Sequence, residues 1–270
     1  MEENNKKILN IILSFLVILV ILFFLKFLFN KFYYQNNISV KNENFLYIGT
    51  CSDFPPYEFK ENGNIVGFNI DFICEIAKKL NKEPIIKDIP FENLLLDLKN
   101  GNIDVISASL GITDERKKQI SFSNPYLINN PESDDNSYIL VTLNNDIINS
   151  LEDLNGKNII GIDGYTSTDY VKNILGNKIK FIGFNSSAEG MLALLNNKGF
   201  AFIGTMNILE LIQKAYPNIV FNIFKIKNSE KLAFGIKKDN IKLLKEINDT
   251  LKILIEEGLI EKLKLKWNVK

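Results

Sequence analysis

The chain has 270 residues, 46% of them hydrophobic, and its 32 acidic side chains balance 32 basic ones. That length supports one or two packed domains, and lysines scattered throughout leave no basic face for nucleic acid. There is no histidine and there are two cysteines, which removes the commonest general base, the Ser-His-Asp constellation and a four-ligand structural zinc site, so no cofactor or metal is expected.

In chain order, Lys6 and Lys7 precede an apolar run from Ile8 to Leu25 that continues past Lys26 through Phe29, long enough to cross a hydrocarbon core of about 30 Å. No Ala-x-Ala-like site follows, the first alanine being Ala77. Residues 1–30 are therefore expected to form an uncleaved transmembrane helix, with the remainder outside the cytoplasm. Residues 31–44 are polar and aromatic without periodicity and read as a tether.

From Phe45, short strand-like runs alternate with amphipathic helical ones: Leu46 to Gly49, Ile70 to Leu80, Pro84 to Ile89, Asn93 to Lys99 and Ile103 to Ser107. A second series begins after the polar stretch Asn129 to Asn136, with Asn158 to Ile162, Thr168 to Leu175, Lys180 to Phe184, Ala188 to Leu195, Ala201 to Ile203 and Ile208 to Ala215. Alternation of this kind predicts parallel sheets covered by helices, here as two α/β lobes. The helical stripe Leu244, Ile247, Leu251 and Leu254, then Gly258 and a helix ending near Trp267, close the chain. Cys51 and Cys74 fall on a strand end and a helix and read as free thiols.

Ligands of open α/β sheets bind beyond the carboxyl ends of the strands. After the first strand comes Gly49-Thr-Cys-Ser-Asp-Phe-Pro-Pro-Tyr-Glu-Phe59; its aromatics either enter the core or, for Phe54 beside a strand terminus, form a pocket wall. Asn69 or Asp71 most simply caps the N-terminus of the helix that follows. Further on, Ser109, Gly111 and Thr113 precede a helix carrying Arg116, the one arginine among the 32 basic residues. A guanidinium offers a planar fork to both oxygens of a carboxylate, which an ammonium does not; the alternative is a surface pairing of Arg116 with Asp114 or Glu115. Asp163-Gly164-Tyr165-Thr166-Ser167 is a second strand-to-helix junction, either an anion nest or a cap.

Six blocks in order then carry a family resemblance: Gly49-Thr50 with Asp53-Phe54-Pro55-Pro56-Tyr57-Glu58-Phe59, Gly67-Phe68-Asn69-Ile70-Asp71, Gly101-Asn102-Ile103-Asp104, Thr113-Asp114-Glu115-Arg116-Lys117-Lys118, Phe122-Ser123-Asn124-Pro125-Tyr126 and Leu151-Glu152-Asp153-Leu154-Asn155-Gly156-Lys157. From Phe45 to Trp267 the chain resembles family 3 of the bacterial extracellular solute-binding proteins, which deliver polar amino acids to ABC importers. The resemblance implies a two-lobed, type II periplasmic-binding-protein-like α/β fold with two crossover strands, following the N-terminal transmembrane helix. Lobe 1 would comprise residues 45–129 and 228–270, and lobe 2 residues 130–227. It implies a monomeric, membrane-anchored binding protein rather than an enzyme, which captures an amino acid or small carboxylate and passes it to an ABC permease driven by its ATPase subunit.

Carried over by position, Arg116 would clamp the ligand α-carboxylate with the backbone at Gly111 and with Thr166. Phe54 and Phe91 would flank the ligand side chain, Tyr165 would join the site, and the Ser109 carbonyl would accept from the α-ammonium. Three positions depart from the pattern: Gly111 stands where many relatives have Thr or Ser, Cys51 where a pocket aspartate is frequent, and Thr205 where an aspartate usually pairs with the ammonium. Either Asp53 or Asp163 supplies the missing charge, or the ligand lacks an ordinary α-ammonium. Two other readings share the fold: a lyase resembling cyclohexadienyl dehydratase, with Asp53, Glu58 or Asp163 as acid or base, and a sensor signalling through the membrane helix.

Overall fold

The computed structural model describes residues 24–26, 42–128, 138–144, 146–228 and 230–269. The expected membrane span lies outside these residues except for Phe24, Leu25 and Lys26, which are helical. No helix among the described residues is long and apolar enough to cross a bilayer. Asn44–Lys270 forms one compact unit.

The first sheet starts with Phe45–Thr50, which pairs in parallel with Glu83–Asp88 on one side and Val105–Ile106 on the other. Parallel neighbours need crossover connections, and the helices Phe68–Lys79 and Phe91–Asn100 provide them. Gly235–Lys237 inserts between Val105–Ile106 and Ile120–Phe122, antiparallel to both. The second sheet is ordered Lys180–Phe184, Asn158–Ile162, Ala201–Thr205, Tyr138–Leu143, Phe221–Ile226. Its first three strands are parallel, and Tyr138–Leu143 runs antiparallel to both of its neighbours. The chain thus enters the second lobe before Tyr138 and returns after Ile226 to place Gly235–Lys237 in the first sheet. Where the two crossings begin and end, Leu127–Ile128 and Lys231–Leu232 pair with each other.

Helix Phe68–Lys79 turns Phe68, Phe72, Ile73 and Ile76 inward, the spacing of one helical face. Phe72 meets Tyr126 at 5.4 Å and Phe234 at 5.7 Å between ring centroids, and Tyr126 stacks on Phe234 at 4.5 Å. This cluster joins residues from the first α/β unit, the outgoing crossing and the returning strand, so the discontinuous lobe has one core. Helix Ile241–Glu256 buries Leu243, Ile247, Leu251 and Leu254 against it; the buried stripe begins at Leu243, not at Leu244.

Asn69 and Asp71 do not cap their helix. The residue before it is Gly67, at φ 134° and with no side-chain cap. A Cβ at Gly67 would overlap the Tyr57 carbonyl, so glycine is required there both for its dihedral and for the close approach. Asp71 instead accepts from Trp267 Nε1 at 2.7 Å and Lys266 Nζ at 2.6 Å, fastening the last helix to the first. Replacing Gly67 with Ala should cost about 2 kcal/mol or more, lowering Tm by roughly 2–4 °C per kcal/mol in a domain of this size. Thermal denaturation followed by circular dichroism measures this, and an unchanged Tm would show that the junction relaxes freely.

Candidate ligand-binding cleft

Segments leaving the carboxyl ends of Phe45–Thr50, Val105–Ile106, Asn158–Ile162 and Ala201–Thr205 converge on a narrow cleft with a cavity volume of about 60 Å³, well under the roughly 300–1,000 Å³ usual for small-molecule sites. Of the residues singled out in the sequence, Cys51, Phe54, Phe91, Ser109, Tyr165, Thr166 and Thr205 line it. Tyr57, Glu58, Tyr138 and Glu230 line it as well. Asp53, Gly111 and Arg116 do not line it; Arg116 lines a separate surface depression with Thr113, Gly164 and Asp169, and Phe91 borders both.

The aromatic wall crosses between lobes. Phe91 and Tyr165 meet edge to face at 4.9 Å, Phe54 stacks on Tyr57 at 5.5 Å, and Phe54 and Tyr165 lie 6.5 Å apart. Tyr165 donates its hydroxyl to Asp53 Oδ1 at 2.9 Å, and the Ser187 amide approaches Oδ2 at 3.5 Å. Asp53 is therefore committed to tying the lobes. Burial, with Asp53 beside it, pushes the Cys51 thiol far above its ordinary value, so Cys51 is a neutral lining group. Asp163 faces elsewhere: its carboxylate packs against the backbone of Gly183 and lies 3.9 Å from Lys172.

Arg116 is buried, 7% exposed. Asp114 pairs with Lys117 at 2.9 Å, while the Arg116 guanidinium donates to the Gly111 carbonyl at 2.7 Å and to the Gly164 carbonyl of the other lobe at 2.6 Å. Its Cζ sits 5.4 Å from the Phe91 ring centroid, a cation–π distance. Thr113 caps this helix by accepting from the Arg116 amide at 3.2 Å. Burial lowers the Arg116 pKa, and the nearby Glu230 and Asp169 carboxylates oppose that.

Beneath the floor, Asn69 Nδ2 donates to Glu58 Oε2 at 2.6 Å and to Ser109 Oγ at 2.9 Å, and Tyr126 donates to Asn69 Oδ1 at 2.9 Å. Ser109 has φ 45°, a left-handed conformation costing a non-glycine residue about 1 kcal/mol or more, held here by its hydroxyl. Burial raises the Glu58 pKa well above its ordinary value, against the hydrogen bonds from Asn69 and Ser109.

Glu230, in the returning crossing, carries no motif signal. Its Oε1 accepts from the Thr166 hydroxyl, and Tyr138 lines the cleft beside it. A Cβ at Gly111 would overlap Glu230 Oε1 and lie 2.8 Å from Thr166 Cγ2, so the missing side chain at 111 makes the space that Glu230 fills. Burial raises the Glu230 pKa, opposed by Thr166, Arg116 and Tyr138. Thr205, opposite Tyr138 in register, has a buried hydroxyl without a hydrogen-bond partner.

A raised folded-state pKa on Glu58 means that the fold holds the proton more tightly than the unfolded chain does. This contribution is fully present below the unfolded value, about 4.3, and is lost as pH rises toward the folded pKa. Urea midpoints should therefore fall between pH 5 and pH 8 by less in Glu58→Gln than in the wild type. Parallel pH profiles for the two proteins would rule out a protonated Glu58.

The model of the bacterial extracellular solute-binding proteins, family 3, matches residues 46–270. The probable amino-acid-binding protein YxeM of Bacillus subtilis (strain 168) is 26% identical over 246 residues, covering 86% of this chain and 87% of that one. Among solved structures, an ancestral arginine-binding protein bound to arginine superposes with a TM-score of 0.74 at 33% identity, covering 83% of this chain and 98% of that one. The ancestral amino acid-binding protein AncCDT-1, a precursor of cyclohexadienyl dehydratase, gives 0.71 at 28% identity, covering 83% and 95%. The chain belongs to family 3 of the bacterial extracellular solute-binding proteins.

Proposed function

We propose that the chain is the extracytoplasmic receptor of an amino-acid ABC importer, held at the membrane by residues 1–30 and acting as a monomer that closes on its ligand and presents it to a permease and ATPase. The observation that carries this reading is the position of Arg116. A single buried guanidinium joins the Gly111 carbonyl of one lobe to the Gly164 carbonyl of the other and packs on Phe91, whose ring also lines a cleft with aromatic and hydroxyl-bearing walls. A ligand α-carboxylate entering beside Arg116, with the Gly111 backbone and Thr166 nearby, would couple occupancy to closure. Phe54, Phe91 and Tyr165 would flank its side chain, and the Ser109 carbonyl would accept from its ammonium. Lobe 1 is assigned residues 45–129 and 228–270, and lobe 2 residues 130–227; AncCDT-1, whose fold it shares, is itself an amino acid-binding protein.

The full-length chain in detergent, melted against the twenty common L-amino acids and L-cystine, should gain stability with the logarithm of the concentration of at least one, by about 2.7 kcal/mol at a hundred times Kd. Flat melting temperatures across the panel would refute the assignment. Arg116→Lys keeps the charge and loses the planar fork. It should melt within a few degrees of the wild type and bind the same amino acid roughly tenfold to a hundredfold more weakly, as read by calorimetric titration; equal affinity would remove Arg116 from the site.

A further inference from the structure

The proposed function gives the ligand carboxylate a seat made by the Gly111 backbone, Thr166 and Arg116, and a side chain of the protein already reaches into that seat. The return crossing is zippered to the first lobe: the Ile112 amide donates to the Lys231 carbonyl at 3.0 Å, the Ala233 amide donates to the Leu110 carbonyl at 3.1 Å, and Leu232 lies opposite Gly111. On their other edge Lys231 and Leu232 pair with Ile128 and Leu127. Held on both sides, the crossing delivers Glu230, the residue just before the zipper, to the cleft wall. Its Oε1 lies against the bare Cα of Gly111 and accepts from the Thr166 hydroxyl at the start of the helix Thr166–Leu175, where an anion is favoured. Resting on the carboxylate assignment above, we propose that Glu230 is a built-in occupant of the ligand's carboxylate seat, which keeps the cleft closed on itself until an incoming ligand displaces it.

Three observations converge on this assignment. Glu230 touches two of the three groups assigned to the ligand carboxylate and acts on the third through charge: burial lowers the Arg116 pKa, and Glu230, ahead of Asp169, opposes this. The cavity left beside it is about 60 Å³, room for a few waters and not for an amino acid with its side chain. The lobes are already tied across the cleft, by Tyr165 to Asp53 and by Arg116 to the Gly164 carbonyl. Glu58, the other carboxyl of the lining, bonds Asn69 beneath the floor and so serves a different place. Arg116 spends two N–H donors on the Gly111 and Gly164 carbonyls, of the five that a guanidinium carries. An untethered carboxylate can turn to the remaining donors, a charge-assisted contact that gives a ligand its advantage over the tethered one. Until then, the built-in occupant weakens the apparent affinity in proportion to the share of molecules whose seat it holds.

Glu230→Ala removes the occupant, and Glu230→Gln keeps its shape without its charge. Full-length chains in detergent are titrated calorimetrically with the amino acid that the wild type binds from the panel above. Glu230→Ala should bind it roughly tenfold to a hundredfold more tightly than the wild type, with Glu230→Gln in between. Equal affinity in Glu230→Ala would overturn the proposal, and weaker binding would overturn it by making Glu230 a partner of the ligand. Circular dichroism reports the fold; should Glu230→Ala not fold, Glu230→Gln decides by the same criterion, tighter binding upholding the proposal and equal or weaker binding overturning it. A second arm needs no amino acid. Sodium acetate, a free carboxylate of the same chemistry, is compared with sodium chloride at equal ionic strength and neutral pH. It should raise the melting temperature of Glu230→Ala saturably and leave that of the wild type in place; equal shifts in both proteins, or none in Glu230→Ala, would overturn the proposal. If no protein binds any member of the panel, the amino-acid reading falls and the acetate arm alone decides the seat. If the wild type binds and Glu230→Ala binds no more tightly, only the built-in occupant falls.

Discussion

A charge buried between two lobes must have its hydrogen bonds met from both sides, and in this protein that charge is Arg116. With 7% of its surface exposed, its guanidinium draws one carbonyl from each lobe. Desolvating a cation is expensive unless acceptors and counter-charges are well placed, so the positions of the Ser109–Thr113 turn, the Gly164–Thr166 turn and the Phe91 face are all constrained by it. An ammonium would meet such a site as a point charge and leave the planar fork unmatched. Under the proposed function, a ligand carboxylate meeting this guanidinium would link occupancy to the spacing of the lobes.

The second constraint is steric. Gly111 is the position at which the first lobe, the second lobe and the return crossing meet, and its bare Cα is what lets Glu230 and Thr166 approach. The isolated bridge between Gly111 and Leu232 brings the two segments together. The Glu58–Asn69–Ser109–Tyr126 network below fixes the floor and holds Ser109 in its left-handed conformation.

Much of this architecture was legible in the sequence because parallel strands buried on both faces are written as short apolar runs, and their helices as amphipathic ones. The runs at Leu46–Gly49, Asn158–Ile162 and Lys180–Phe184 all became strands. Antiparallel strands such as Ile120–Phe122 and Gly235–Lys237 are three residues long, and Phe221–Ile226 is an edge with three half-buried aromatic or polar residues, so periodicity does not mark them. The strand-terminal residues that line the cleft were marked in the sequence because α/β topology and the family resemblance both point to those segments. Glu230 was not, since a glutamate in the short polar segment Asn228–Lys231 looks like solvated linker until the returning chain passes over Gly111. Asn69 was misread for a related reason: its position matches a cap, yet its amide is recruited across forty residues by Ser109.

Because Arg116 is the sole arginine in 270 residues, nitrogen-15 labelling of arginine alone gives the guanidinium a private NMR signal in the full-length protein. Titrating in a bound amino acid should shift the Arg116 Nε and Nη resonances saturably, and the corresponding amine lacking the carboxylate should leave them in place. Guanidinium resonances that stay unmoved while the amino acid saturates its site would contradict the account.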